Sequence, residues 1–473
     1  MKNILVASSV MLCSICTAVH SADTITAPNG EKHTIHNQLP AGQLITVADL
    51  KKDLNQIKTL LASTHPDPAF TMDINGISAK IDQLSEQLTK PLTHLEAWKL
   101  LSQLNPYFQD GHMAVFYPNS SKHLNEHIQN GGNLFPFKVQ IDKSNRILVT
   151  DTLGTHTQIN IGDEIAAING VKASEITHAI LSRMHGDSED HRRALASDRF
   201  SRLYWMLYGD HGHYQVDILK ANKHSQHTVA GNKKNAPLAD PELTELVGRK
   251  ILDDNIGYLR IDRFYYSPEH EEAFFSFMEK SWQEFHDAGV QDVIIDVRKN
   301  PGGTDHYWHL GIAPYVATEP FSFVSGFKMR LTERNLRLGP VKGEPGSIAE
   351  GPFEYLIPVD GKENLRIPGK AYLLMGPLSY SSSVLFLTAF QDAKQAVIAG
   401  PTTGVRSCTT GRIQPIILSG SKLEVTVPTA IFTRPSGNEM CHQPIRPDLD
   451  IADTPDNPTK MVNELAKKIV ANR

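Results

Sequence analysis

The chain has 473 residues, of which 40% are hydrophobic and 21% charged, with a formal net charge of −5. That length is too great for one ordinary core and points to roughly two to four domains. The mild acidity, with both signs interspersed, gives no basis for a nucleic-acid partner and reads as an ordinary soluble globular protein.

The first residues read as an export signal over 1–22. Met1-Lys2-Asn3 supplies a positive start, Ile4 to Val19 is apolar and small, and Val19-His20-Ser21-Ala22 offers a cleavage site. The apolar run is short for a membrane span, and no second long one follows. The mature chain is therefore expected to be soluble, without membrane insertion, and periplasmic or secreted. Cys13 and Cys16 leave with the signal, so Cys408 and Cys441 remain. Two thiols in an oxidising compartment suggest a disulfide; a pair of buried free thiols is the alternative.

Residues 46–62 carry apolar side chains at helical spacing (Leu50, Leu54, Ile57, Leu61), with Thr46 as a candidate N-cap. Further amphipathic stretches run through Ile77, Ile81 and Leu84, and from Thr93, whose Glu96 completes a capping box. This helical domain, taken as residues 23–125, ends in the turn Asp110-Gly111-His112 ahead of a short strand. On its own, a histidine at such a junction is more often structural than catalytic.

Residues 126–215 form a β-rich insert. Within it, Gly162-Asp163-Glu164-Ile165 with Ile168-Asn169-Gly170 resembles the signature of PDZ modules, which bind peptide ends by strand addition. The glycine-rich carboxylate loop of such modules is not recognisable, so a purely structural or gating insert is equally open. Residues 174–208 look helical, and 216–245, polar and lysine-rich, look like an exposed linker.

The remaining residues, 246–473, read as an α/β core. Ile256 to Ile261 is a strand, Glu269 to Ala288 an amphipathic helix, and Val293 to Val297 a second strand, which implies a right-handed parallel crossover. The turn Asn300-Pro301-Gly302-Gly303 then falls at the carboxyl end of a strand, where ligand chemistry gathers in such sheets. The unit repeats in Tyr372 to Met375, followed by Ser379-Tyr380-Ser381-Ser382-Ser383 and an apolar helix. A serine at that helix N-terminus would meet unpaired N–H groups and the positive end of the dipole. Asp305-His306 and His309 lack the intervening glutamate of a zinc-peptidase helix, so neither metal nor cofactor is expected.

Asp296-Val297-Arg298 with Asn300-Pro301-Gly302-Gly303, the serine cluster, and Gln391-Asp392 together resemble the tail-specific (C-terminal processing) family of serine peptidases over residues 256–452. The resemblance implies a ClpP/crotonase-like core of ββα units, with the helical domain and the PDZ-like insert ahead of it. It implies Ser381 as nucleophile, with Ser382 as the neighbouring rival, and an oxyanion hole from backbone N–H groups near Gly302 or Gly303 and at Ser382. The family's best-known branch activates its serine with a lysine, but the matching position here is Arg406, which cannot act as a base.

A second, tricorn-core-like branch uses Ser-His-Glu, and its Asp-x-His turn resembles Asp110-Gly111-His112. That makes His112 the expected base. The branch's glutamate position falls on Cys441. Glu439 would share a strand face with it and is the expected substitute, with a shifted register, Asp392 or no acid as alternatives. Cys441 is then expected to pair with Cys408. The sequence thus points to an exported serine endopeptidase acting on polypeptides, compatible with a homodimer. A catalytically inactive ligand- or peptide-binding member of the same fold is the rival.

Overall fold

The computed structural model describes residues 43–155, 158–236, 241–339 and 341–473, and the backbone of two three-residue strands, 24–26 and 32–34. The expected signal segment, 1–22, lies outside the described residues. No helix among the described residues is long and apolar enough to cross a membrane.

Three helices open the described chain: α1 (Val47–Ser63), α2 (Ile74–Gln87) and α3 (His94–Leu101). Thr46 caps α1 by accepting the Asp49 N–H, and Thr93 with Glu96 closes a reciprocal capping box on α3. Their apolar stripes, including Leu50, Leu54, Ile57, Ile77, Ile81, Leu84 and Trp98, are buried in one cluster. The chain then enters β1 (Ala114–Phe116), two residues beyond His112.

The insert region is a twisted antiparallel sheet of β2 (Lys138–Ile141), β3 (Ile147–Asp151), β4 (Glu164–Ile168), β5 (His213–Lys220) and β6 (Lys223–Ala230), in that order. Between β4 and β5 run α4 (Ala173–Leu181), α5 (Glu189–Asp198) and α6 (Phe200–Tyr208). The expected linker over 216–245 is corrected by this arrangement. Residues 213–230 are a hairpin, with Tyr214, Val216 and Ile218 buried on one face and polar residues on the other. Strand β6 lies at the sheet edge, and its Lys223, His224, Ser225 and Gln226 face solvent, which is why it reads as a loop.

The third region holds a six-stranded sheet: β7 (Val247–Leu252), β8 (Ile256–Ile261), β9 (Asp292–Asp296), β10 (Ala371–Leu374), β11 (Val397–Gly400) and β12 (Leu449–Asp450). Only the β7–β8 pair is antiparallel. Strands β9 and β10 are buried along their whole length, as a parallel sheet covered on both faces requires. Helix α7 (Pro268–Asp287) lays Phe274, Met278, Trp282 and Phe285 on one face. Each such side chain contributes about 1.5–3 kcal/mol through burial. Helix α8 (Ser382–Asp392) follows β10 through the serine cluster, and α9 (Pro458–Ala471) covers the opposite face.

A second, antiparallel sheet stands beside the first and contains the long hairpin β13 (Thr409–Ile417) and β14 (Glu424–Thr433). Strand β1 joins it, pairing Ala114 with Thr426 and Phe116 with Glu424. The strand following His112 is therefore built into the same sheet as the C-terminal hairpin. Buried Asp53 of α1 locks this junction by accepting the Gly420 N–H at 2.7 Å and the Ser421 N–H at 2.6 Å. Asp53→Ala would strand two backbone donors and should lower unfolding stability by about 1–3 kcal/mol. An unchanged urea midpoint would count against this role.

Candidate active site

Two turns at the carboxyl ends of β9 and β10 meet. After β9, Asn300 organises the first: its side-chain amide donates to the Ile261 carbonyl at 3.1 Å and its Oδ1 accepts the Gly302 N–H at 2.9 Å. Gly302 has φ +98°, and a Cβ there would meet the Ser381 Cβ, the Ser382 nitrogen and the Tyr380 oxygen, each at 2.7 Å. Only glycine lets the two turns touch. Gly303 bridges Phe264 in parallel fashion, with Phe264 N–H donating to the Gly302 carbonyl and Thr304 N–H to the Phe264 carbonyl.

After β10, Ser379 is spent on structure, its hydroxyl donating to the Val297 carbonyl at 2.7 Å. Ser381 has φ 57° and ψ −120°, a backbone conformation costly for a residue with a side chain, at the entry to α8. It is 4% exposed. The Ser382 hydroxyl instead donates to buried Asp305 and accepts the Trp308 indole N–H at 3.1 Å, so it is held by those two contacts. Burial pushes the Asp305 carboxyl up to about 7, against the Ser382 and Trp308 hydrogen bonds that favour its charge. The Gly303 and Ser382 N–H groups make no hydrogen bond among the described residues, whereas that of Gly302 is occupied by Asn300. Of the three N–H groups expected to form an oxyanion hole, the one at Gly302 is thus already engaged.

His112 lies against this corner. Its ring packs on that of Tyr380, the residue before Ser381, with centroids 4.7 Å apart. Nδ1 stands 2.9 Å from the Thr410 hydroxyl on β13, and that hydroxyl donates to Asp110 Oδ1 at 3.0 Å. The same Asp110 oxygen accepts the His112 N–H at 2.7 Å, while its direct distance to Nδ1 is 4.0 Å. Burial opposes the charge of Asp110. The side-chain interaction with His65 comes first among the influences that prevail, with nearby His112 and the Arg406 guanidinium, and they hold its carboxyl below the usual range. Burial also lowers the pKa of His112, outweighing the pull of Asp110 and Asp187, so the ring is neutral near pH 7.

Glu439 is not brought to this site. The strand expected around it is a single 3-10 turn, Asn438–Met440, in which Glu439 is exposed. Beside the buried His112 Nδ1 stand Thr410 and Asp110. Asp392 is committed elsewhere, in an ion pair with Arg434. Cys408 and Cys441 meet with Cα atoms 4.5 Å apart, beside the start of β13. Arg406 donates to the Gln109 carbonyl at 2.7 Å and pairs with Asp187 at 3.3 Å. Burial alone would lower its pKa, but Asp187, Asp110 and Tyr380 hold the guanidinium charged.

Sequence reasoning missed the residue that ties these parts together. Asp187, between α4 and α5, accepts the Gly111 N–H at 3.0 Å and the Tyr380 hydroxyl at 2.8 Å with Oδ1, and the Arg406 N–H at 3.1 Å with Oδ2. Its neighbour His185 holds the Gly111 carbonyl at 2.8 Å. His191 covers the Tyr380 ring, its centroid 4.7 Å away as that of His112 is. Nothing local distinguishes Asp187 from an ordinary residue ahead of a helix cap. A shielded hydroxyl, a neutral imidazole and two N–H groups with no hydrogen-bond partner among the described residues suit acyl transfer.

Residues 255–451 match the family model of peptidase family S41. A search of curated proteins found no match. Among solved structures, the chain is similar to mature CPAF complexed with lactacystin at 14% identity, covering 90% of this chain and 99% of that one, with a TM-score of 0.63. Uncomplexed mature CPAF gives 14% identity, coverage of 89% and 96%, and a TM-score of 0.62. The photosystem II D1 C-terminal processing protease gives 14% identity, coverage of 85% and 93%, and a TM-score of 0.47.

The state of His112 is open to measurement. With its pKa lowered in the folded chain, the unfolded chain binds the extra proton first. Stability from the neutral ring is present above the ordinary histidine value, about 6.5, and is lost as pH falls below it. The His112 ring resonance should titrate below that of an exposed histidine, and a midpoint above about 7 would contradict the assignment.

Proposed function

We propose, from the match of residues 255–451 to the model of peptidase family S41, that the chain is an exported serine endopeptidase in which Ser381 is the nucleophile and His112 its general base. The observation that carries this reading is the packing of the His112 ring on Tyr380, beside a serine held in a strained turn against Gly302. With Nδ1 directed to Thr410, Nε2 is the basic nitrogen. The Ser381 oxygen attacks the peptide carbonyl carbon while its proton passes to Nε2. The carbonyl oxygen, now negative, is received by the Gly303 and Ser382 N–H groups. Collapse breaks the C–N bond, the imidazolium returns its proton to the leaving amine, and water then releases the acyl group by the same route.

Thr410 and Asp110 take the part expected of Glu439. The threonine hydroxyl couples the buried Asp110 charge to the imidazole, fixing its tautomer and favouring the imidazolium as it forms. The 126–215 insert is read as a PDZ-like module that acts here as a clamp. Asp187 and His185 reach the catalytic turn from it, while Ser197 of α5 covers the β2 edge by accepting the Ile141 N–H at 2.9 Å. A 408–441 disulfide, formed after export to the periplasm or beyond, would pin the loop carrying Arg406 to the start of β13.

Ser381→Ala should abolish casein hydrolysis with the fold intact; undiminished cleavage would falsify the nucleophile assignment and favour a binding-only protein. Labelling of Ser381 by a serine-directed phosphonate should collapse in His112→Ala. Thr410→Val should lower kcat by about 10²-fold or more with little change in KM. If Thr410→Val leaves kcat unaltered while Glu439→Gln lowers it, the relay through Asp110 is wrong. Intact-mass analysis of the alkylated, non-reduced protein should show neither Cys408 nor Cys441 modified.

A further inference from the structure

We propose that the cleft between the insert and the six-stranded sheet is a carboxylate-recognition site that selects acidic polypeptides, a reading that rests on the peptidase assignment and names its substrate class. The cleft has a volume of about 1020 Å³. Arg199 and Arg202 line it from the α5–α6 corner, and Lys299 lines it from the catalytic turn after β9. Other arginines of the same cleft are neutralised: Arg193 pairs with Glu189, Arg260 with Asp262 and Arg298 with Asp296. Arg199, Arg202 and Lys299 have no carboxylate within 4.0 Å among the described residues, and Arg202 makes no hydrogen bond among them either.

Leaving these charges unmatched is unfavourable. Arg199 and Arg202 are three residues apart across the start of α6, so they share a face, and like charges at that spacing repel. Burial, and then the charge of Arg199, bring the Arg202 guanidinium down to about 10, with Asp198 opposing. A bidentate carboxylate is the ligand whose geometry matches a guanidinium fork and whose charge relieves the repulsion. Local rules broken without a compensating contact are a mark of a functional site.

The cleft also reaches the chemistry. Pro377 and Leu378, which lead into the serine cluster, line it. Arg199 Nη1 is 2.9 Å from His185 Nε2, and His185 Nδ1 is 2.8 Å from the Gly111 carbonyl, one residue before His112. An acidic segment held on Arg199 and Arg202 is therefore connected through His185 to the turn carrying the base.

The test measures binding and cleavage separately. The Ser381→Ala protein is titrated by fluorescence anisotropy with a labelled peptide rich in glutamate, with its glutamine isostere, and with the acidic peptide amidated at its C-terminus. The acidic peptide should bind about ten-fold tighter than the glutamine one at low salt, as charge-assisted hydrogen bonds allow. Arg202→Gln in the same background should remove that preference. If amidation leaves the affinity of the acidic peptide unchanged, its side chains alone are recognised; if amidation weakens binding while the preference over glutamine persists, the terminal carboxylate is held as well. Equal affinity for acidic and glutamine peptides, or a preference that survives Arg199→Gln with Arg202→Gln, overturns the proposal. A preference retained by a protein whose wild type cleaves neither peptide leaves the cleft standing and removes the peptidase reading instead.

Discussion

A single buried carboxylate holds the site together. Asp187 ties the Gly111 N–H, the Tyr380 hydroxyl and the Arg406 backbone into one cluster, drawing on three segments far apart in sequence. Such a charge is expensive to bury unless its oxygens are filled, and here donors fill both, one of them with support from the Arg406 guanidinium. The arrangement is mutually dependent. Tyr380 is fixed by Asp187 and flanked by His112 and His191, and fixing Tyr380 in turn fixes the approach to Ser381.

This dependence changes the meaning of the insert. A β-rich module that touched the core only at its ends could be removed without effect on chemistry. One that supplies Asp187 and His185 to the turn carrying His112 is part of that turn's own support. The anchoring also explains how an imidazole arrives from the helical region without a long mobile connection. Strand β1 is a full member of the antiparallel sheet, so His112 stands on a rigid element two residues from its first hydrogen-bonded pair.

The parts of the site legible in the sequence are those with local signatures. The run Val293 to Val297 followed by Asn300-Pro301-Gly302-Gly303, and the run ending in Ser381, announce buried strands feeding tight turns, because burial and turn geometry are written in neighbouring residues. His112 became interpretable only through resemblance, since an Asp-Gly-His turn has no chemistry of its own. Thr410 and Asp187 left no trace, because their roles consist of contacts across the fold: His112 and Thr410 are 298 residues apart. The expectation for Glu439 presumes a strand running through Glu439 and Cys441, whereas a turn at Asn438–Met440 stands there and leaves the side chain exposed. The edge strand Lys223–Ala230 reads as a linker because its exposed face lacks the apolar alternation that marks a buried one.

The pairing of β1 with β14 also sets a clock. Ala114 finds Thr426 only after more than 300 intervening residues have been made and threaded, and Asp110 and Thr410 likewise meet across 300 residues. Contacts of such separation form late, since their loop entropy must be met before they contribute anything. Under the proposed mechanism, an emerging chain carries first His112 and then Ser381 without a completed site until its C-terminal hairpin closes the sheet. On that reading, completion of the fold is the event that arms the protein.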